Sequence, residues 1–163
     1  MLVYHPAFDA YHCLFRSIAV LEVSQQCELD RLRILDFCLS FPTIVKDFRL
    51  PPGKLGIKKA AAAVSNPYRN PMGMRTLFEN LSTIQTSAFS CLAASGLAIN
   101  ESENIVRTKT PLPEGLQEKC LAFQATEKTF FDVLLNELLA LPLLGPDGLK
   151  ARSGLMEYRY DTI

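Results

Sequence analysis

The strongest constraint on the fold is a helical segment that ends at a glycine and precedes two short extended runs around a polar tip. The segment 83–95 reads TIQTSAFSCLAAS, and Gly96 follows it at the position of a helix C-cap. LAI comes next, then the polar sequence NESEN, then IVRTKT. We predict a helix followed by a β-hairpin, the pattern of a winged helix-turn-helix in which the hairpin is the wing.

Helical periodicity surrounds this unit on both sides. Apolar residues at three-to-four spacing predict further helices over 6–23, 28–39, 43–48, 54–64, 75–81, 116–125 and 128–141. Two Asn-Pro pairs predict a loop over 65–73. The length suits one mainly α domain with a small β wing. We divide 1–163 into an N-terminal docking helix over 1–26, a winged-helix-like core over 27–112 with an insertion over 49–74, and C-terminal helices and a tail over 113–163.

The charge balance argues against a dedicated nucleic-acid binder. The chain has 17 basic and 17 acidic side chains, whereas phosphate binding favours a basic excess. The candidates for nucleic-acid contact are Arg75, before the recognition-like helix, and Arg107 and Lys109, on one face of the second wing strand. The helix itself has no Lys or Arg and presents only Gln85 and a few hydroxyls, which argues against base readout.

No motif in the sequence predicts catalysis. The phosphate-loop patterns, the GxSxG elbow and the HExxH helix are all absent from the sequence. Asp9, His12 and Cys13 are close in sequence, but adjacent helical residues point about 100° apart, so we expect a half-buried histidine and a core cysteine. Glu28, Asp30 and Asp36 alternate with Arg31 and Arg33, and these charged residues are expected on a solvated helix face. We predict no catalytic residue, cofactor or metal, although an enzyme using carboxylates stays open.

The cysteines and apolar runs indicate the cellular compartment. Five widely spaced cysteines do not suit a disulfide framework, so we expect small buried thiols in a reducing cytosol. The N-terminus lacks the basic leader of a signal peptide, and no run reaches the roughly 18 uncharged apolar residues of a membrane span. We therefore expect a cytoplasmic protein without membrane contact.

Two C-terminal segments are the candidate partner surfaces. The helix 128–141 is apolar on too many sides for a lone surface helix, so it either threads the core or docks a partner. The segment 155–160 is predicted as a strand that either completes the domain's own sheet or is shared with a partner. The predicted interface residues are Phe130, Phe131, Leu134, Leu138, Leu155, Tyr158 and Tyr160.

Over nearly its full length the chain resembles the middle components of bacterial three-component ABC-ATPase systems of the Lamassu-like anti-phage type. The matching stretches, in order, are YHPAFDAYHCLFR, LDRLRILDFCLSFP, NPYRN, RTLFENLSTIQTSAFSCLAASGL and GLKARSGLMEYRYD. The resemblance implies a non-enzymatic adaptor that links an SMC-like ABC ATPase, which senses aberrant DNA, to an effector that is often a nuclease. It brings no active site with it, and DNA contact would occur mainly through the complex.

A second hypothesis comes from the helix and hairpin pattern alone. A winged-helix transcription regulator would bind specific DNA as a free protein, and replacing Arg107 or Lys109 with alanine would weaken that binding.

Overall fold

Eight α-helices and one small sheet form the part of the chain described by the computed structural model, residues 5–64 and 73–161. The helices are α1 Ala10–Ser24, α2 Leu29–Ser40, α3 Gly56–Ala63, α4 Met74–Asn80, α5 Ser82–Ala94, α6 Glu114–Thr126, α7 Lys128–Leu138 and α8 Leu149–Ser153. The strands are β1 Gln26–Glu28, β2 Ala98–Glu101 and β3 Asn104–Arg107. Two 3-10 helices, Pro6–Phe8 and Pro42–Asp47, precede α1 and follow α2.

The predicted mainly helical class with a small β element is confirmed. The loop predicted over 65–73 lies, except for residue 73, outside the described residues.

The first helix lies at the centre of the core. Every residue from Phe15 to Leu21 is buried, because α1 packs against α2, α5 and α6 on different sides. Its start is fixed by Asp9, whose carboxylate accepts a hydrogen bond from the Tyr11 N–H at 2.8 Å. Gln25, with φ of +63°, ends the helix in a turn. The segment predicted as a docking helix is therefore the element around which the others pack.

The sheet has three antiparallel strands in the order β1–β3–β2. The predicted β2–β3 hairpin is confirmed, and so is the turn at Gly96, where φ is +72° and the following Leu97 N–H donates to the Leu92 carbonyl at 3.0 Å. Strand β1 was not predicted, because three residues carry no readable alternation. It pairs Cys27 with Ile105 and thereby makes β3 the central strand.

The insertion predicted over 49–74 contributes to the core through α3. Ile57 and Ala61 are fully buried, since α3 packs against α7 and against the 3-10 helix Pro42–Asp47. The buried Glu137 carboxylate of α7 accepts a hydrogen bond from the Ile57 N–H at 3.2 Å. This contact places a negative charge at the N-terminal end of α3, where the helix dipole favours it.

The C-terminal segment differs from its prediction in two ways. The strand predicted over 155–160 is wrong, because these residues form bends and a turn. The unpredicted helix α8 precedes them and ends at Gly154, where φ is +69°. Helix α7 threads the core, and none of the helices in the described ranges is both long and apolar enough to cross a bilayer.

A glycine pair tests the packing around α8. An added Cβ at Gly148 would lie 2.3 Å from the Leu144 carbonyl oxygen and 2.5 Å from that of Leu143. Backbone atoms cannot rotate away, so Gly148→Ala is expected to lower the free energy of unfolding by about 1–3 kcal/mol. The measurement is urea denaturation followed by circular dichroism.

Gly115 provides the matched control. It lies in α6 with no atom within 4 Å of an added Cβ. Gly115→Ala is expected to raise the free energy of unfolding by about 0.4–1 kcal/mol, because alanine restricts the unfolded chain and favours helix. Equal effects of the two substitutions would contradict the packing described for Gly148.

Candidate protein-binding site

A buried polar network joins α1, α2 and α5. The Asp36 carboxylate accepts hydrogen bonds from Arg16 Nε at 2.7 Å and from Gln85 Nε2 at 2.9 Å. The Gln85 side-chain oxygen in turn accepts a hydrogen bond from Arg33 Nε at 2.9 Å. Arg16 and Asp36 are 3% and 2% exposed, and Gln85 is 1% exposed. The network is thus shielded from water and holds three helices in one arrangement.

Two sequence interpretations are corrected here. Asp36 was expected on a solvated face, yet it follows Leu32 by four residues and precedes Leu39 by three, so helical spacing places it on the apolar face. This spacing is the signal by which it could have been found. Gln85 was considered as a reader of bases, but its amide is committed to Asp36 and to the Arg33 carbonyl.

Arg31 was also assigned to the solvated face and is only 5% exposed. Its Nη1 donates to the carbonyl oxygens of Leu138 and Leu141 at 2.7 and 2.8 Å. Leu138 is the last residue of α7 and Leu141 lies beyond it, so neither carbonyl has an intrahelical donor. The Arg31 guanidinium also bonds the Glu28 carboxylate and lowers the pKa of that group. Arg31 therefore fixes the end of α7 against α2.

A cavity of about 420 Å³ lies beside the polar network, and Arg16 forms part of its wall. Its walls are mostly carbon and come from the N-terminal 3-10 helix, α1, the end of α2, and the junction of α6 with α7. Residues that line it include Pro6, His12, Phe15, Leu39, Phe123, Phe130 and Phe131. A cavity with such walls suits an apolar group better than a charged one.

Both histidines of the chain line this cavity. His5 stacks on Phe41 with ring centroids 5.0 Å apart, and its Nδ1 accepts a hydrogen bond from the Ala7 N–H. Burial, together with the positive charge of Arg16, lowers the pKa of His5. His12 Nδ1 lies 3.3 Å from the Asp9 carboxylate.

The structure separates His12 from Cys13, as the helix geometry predicts. Cys13 is fully buried and its Sγ lies 3.9 Å from Ser17 Oγ. Burial and the nearby Asp36 charge raise the pKa of Cys13, so the thiol stays protonated. In the described ranges, no group of three or more His, Cys, Asp or Glu side chains is arranged to hold a metal ion.

The three candidates for nucleic-acid contact have different surroundings. Arg75 is exposed on α4 and pairs with Glu79 at 3.3 Å. The Arg107 side chain is only 7% exposed, pairs with Glu22, and donates to the carbonyls of Leu97 and Thr108. Lys109 is exposed but lies beyond the end of β3, so it does not share a strand face with Arg107. Arg107 therefore supports the wing from within.

The predicted partner residues divide into core and surface. Five of them are at most 3% exposed in the chain by itself: Phe130, Phe131, Leu134, Leu138 and Leu155. All five pack inside the domain, so the helix 128–141 follows the alternative in which it threads the core. Tyr158 is half-buried and Tyr160 is 89% exposed. The surface available to a partner at this end is thus the C-terminal tail.

Comparison with known families identifies the class of this helical protein as a subunit of a three-component ABC system. Residues 2–161 match the family described as ABC-three component (ABC-3C) system Middle Component 5, and the chain belongs to that family. The predicted resemblance to a middle component is confirmed at this level. No curated protein and no solved structure matches the chain.

The buried network is tested by removing the charge of its central carboxylate. Asp36→Asn leaves the Arg16 guanidinium buried without an ionic partner, which typically costs about 3–5 kcal/mol of folding free energy. Asp132→Asn is the control, because its pair with Lys128 is exposed and contributes less than about 1 kcal/mol. Chemical denaturation of both variants measures the difference, and similar losses would contradict a central role for Asp36.

The cysteines were all predicted to be buried, and for Cys91 this is wrong, since it faces solvent on α5. The other four are buried, and burial raises the pKa of Cys27 and of Cys120 to about 12 and raises those of Cys13 and Cys38 further.

A thiol-specific reagent at mildly alkaline pH is therefore expected to label the native chain once, at Cys91. All five thiols should react after unfolding, and mass spectrometry of the intact chain counts the labels. Multiple rapid labels on the native chain would contradict the burial of the other four.

Proposed function

We propose that this chain is a non-enzymatic adaptor that links an SMC-like ABC ATPase to an effector, often a nuclease, in a cytoplasmic, DNA-sensing anti-phage complex of the Lamassu-like type. The observation that carries the proposal is the family match over 2–161, which assigns the chain to the middle component of a three-component system. A middle component acts with the other components of its system, so its surfaces rather than a catalytic centre carry the function.

The burial and hydrogen bonding of the thiol and charged side chains in the core support this proposal. Cys13 is buried with a raised pKa, while the Asp36 carboxylate accepts hydrogen bonds from Arg16 and Gln85 inside the core. The hydrogen bonds of Asp36 position helices. A subunit that presents a defined shape to two partners needs that rigidity.

A winged-helix DNA-binding regulator is the second candidate, and the topology favours it. The chain runs α1, β1, α2, the two short helices α3 and α4, then α5 and the β2–β3 hairpin, with β3 in the centre of the sheet. In a winged-helix interpretation α5 occupies the recognition position and the hairpin is the wing. The chemistry is less favourable, because α5 carries no Lys or Arg and the Arg107 guanidinium is engaged by Glu22.

Co-purification tests the adaptor proposal. The tagged chain, expressed with the genes that flank its own, is expected to retain a large coiled-coil ATPase in stoichiometric amount. The tagged chain expressed without those genes is the control. Mass spectrometry and gel densitometry of the eluates identify the retained protein and its ratio to the chain.

Three results would count against the adaptor. The chain could elute as a stable lone protein from the co-expression, or the purified chain could hydrolyse nucleotides or cleave DNA by itself. Sequence-specific DNA binding by the free chain, weakened by Lys109→Ala, would support the regulator. Equal weak binding to any DNA would not support it.

A further inference from the structure

The open edge of the sheet at β2 presents unpaired backbone groups. β2 pairs only with β3 within the described residues, so its other side has no neighbouring strand. The Thr108 N–H donates to the Leu97 carbonyl at 3.0 Å, so these two residues form a hydrogen-bonded pair. In the same register, Asn100 lies opposite Ile105, three pairs further along β2. Because bonded and non-bonded pairs alternate in an antiparallel ladder, the backbone N–H and C=O of Asn100 point away from β3. Such an edge is a template for another strand.

A cleft lies between this edge strand and α5. Its volume is about 200 Å³. The α5 wall is made of small or hydroxyl side chains, Thr86, Ser90 and Ala93, while Leu29, Phe89 and Ile105 provide an apolar floor. The small side chains of α5 leave the space open, so a side chain that projects from a strand laid along β2 finds an apolar site.

The charge at the hairpin end of this edge is negative. Glu101 ends β2 and Glu103 lies in the hairpin turn, and both are exposed. Neither forms an ion pair with any residue in the described ranges. Helix α5 has no charged side chain to offset them. An acidic edge repels phosphates and attracts lysine and arginine side chains.

We propose that β2 and the adjoining cleft bind an extended segment of a partner polypeptide that adds a strand to this edge. The segment inserts an apolar side chain between β2 and α5 and places a Lys or Arg against Glu101 and Glu103. Backbone hydrogen bonds then supply affinity, and the cleft and the charges supply specificity. This inference rests on the adaptor function proposed above, so the segment belongs to another component of the same system.

Three substitutions test the edge, the cleft and the charge separately in the co-expressed complex. Asn100→Pro removes the outward N–H at a position where an edge strand tolerates proline. Ala93→Trp fills the cleft, and Ala94→Trp places the same bulk on an exposed α5 position that does not line it. Glu101→Arg reverses the acidic edge, and Glu118→Arg makes the same charge change on the exposed face of α6.

The expected result is a loss of about tenfold or more in the retained partner for Asn100→Pro, Ala93→Trp and Glu101→Arg. The two controls, Ala94→Trp and Glu118→Arg, are expected to retain the partner at the wild-type level. Thermal unfolding of each free variant confirms that it is folded. If Asn100→Pro fails to fold, Ala93→Trp against Ala94→Trp decides the question.

The outcomes distinguish this inference from the adaptor proposal. Wild-type retention of the partner by Ala93→Trp and Glu101→Arg overturns the edge site and leaves the adaptor intact. A wild-type chain that retains no component overturns both. A dimer of the free chain that Ala93→Trp dissociates also overturns the inference, because the occupant is then a second copy. Photocrosslinking from position 99 to an extended, basic segment of the ATPase or effector supports it.

Discussion

The ion pair between Arg16 and Asp36 is the contact on which the rest of the fold depends. It joins α1 to α2 through two residues that are 20 apart in sequence, and both of their side chains are almost fully buried. Removing two charges from water is costly, and their attraction offsets that cost only when the other polar atoms are satisfied. Gln85 bonds the second carboxylate oxygen, and Arg16 Nη1 donates to the Pro6 carbonyl at 3.3 Å. Among the described residues, Arg16 Nη2 is then the one side-chain polar atom of the pair without a hydrogen-bond partner. The pair thereby holds α5 and the N-terminal 3-10 helix together with α1 and α2.

Other arginine side chains also donate hydrogen bonds to backbone carbonyls of the chain. Arg31 caps the end of α7, and Arg107 bonds carbonyls on both sides of the hairpin. Arg49 and Arg152 bond each other's segments, with Arg152 Nη1 donating to the Arg49 carbonyl at 2.6 Å and Arg49 Nη2 donating to the Ala151 carbonyl at 2.9 Å. Loop and helix-end carbonyls need such donors when no ladder supplies them. Guanidinium groups used this way are not presented to phosphates, and the open surface around β2 is acidic and apolar.

The elements that could be predicted are those whose signal lies within a few residues. Periodicity predicted the helices near their observed bounds, and Gly96 with the polar tip predicted the β2–β3 hairpin. Strand β1 was missed because its partner, β3, is about 80 residues away in sequence and three residues show no pattern. The prediction for the tail was wrong for the converse reason. The alternation over 155–160 suits a strand, but no strand in the described part of the chain pairs with it, and Leu155 is instead buried in the core.

The helical class, the neutral charge balance and the family follow from the sequence alone, since each depends on composition, periodicity or the order of matching stretches. Which of the arginine side chains are internal depends on the packing of the folded chain. Arg31 and Arg107 cannot be told from solvated residues in the sequence, because their burial and their hydrogen-bond partners are properties of the packed chain. The same holds for the cleft beside β2. Its two walls are adjacent in the chain, but its floor includes Leu29, which packing alone brings there.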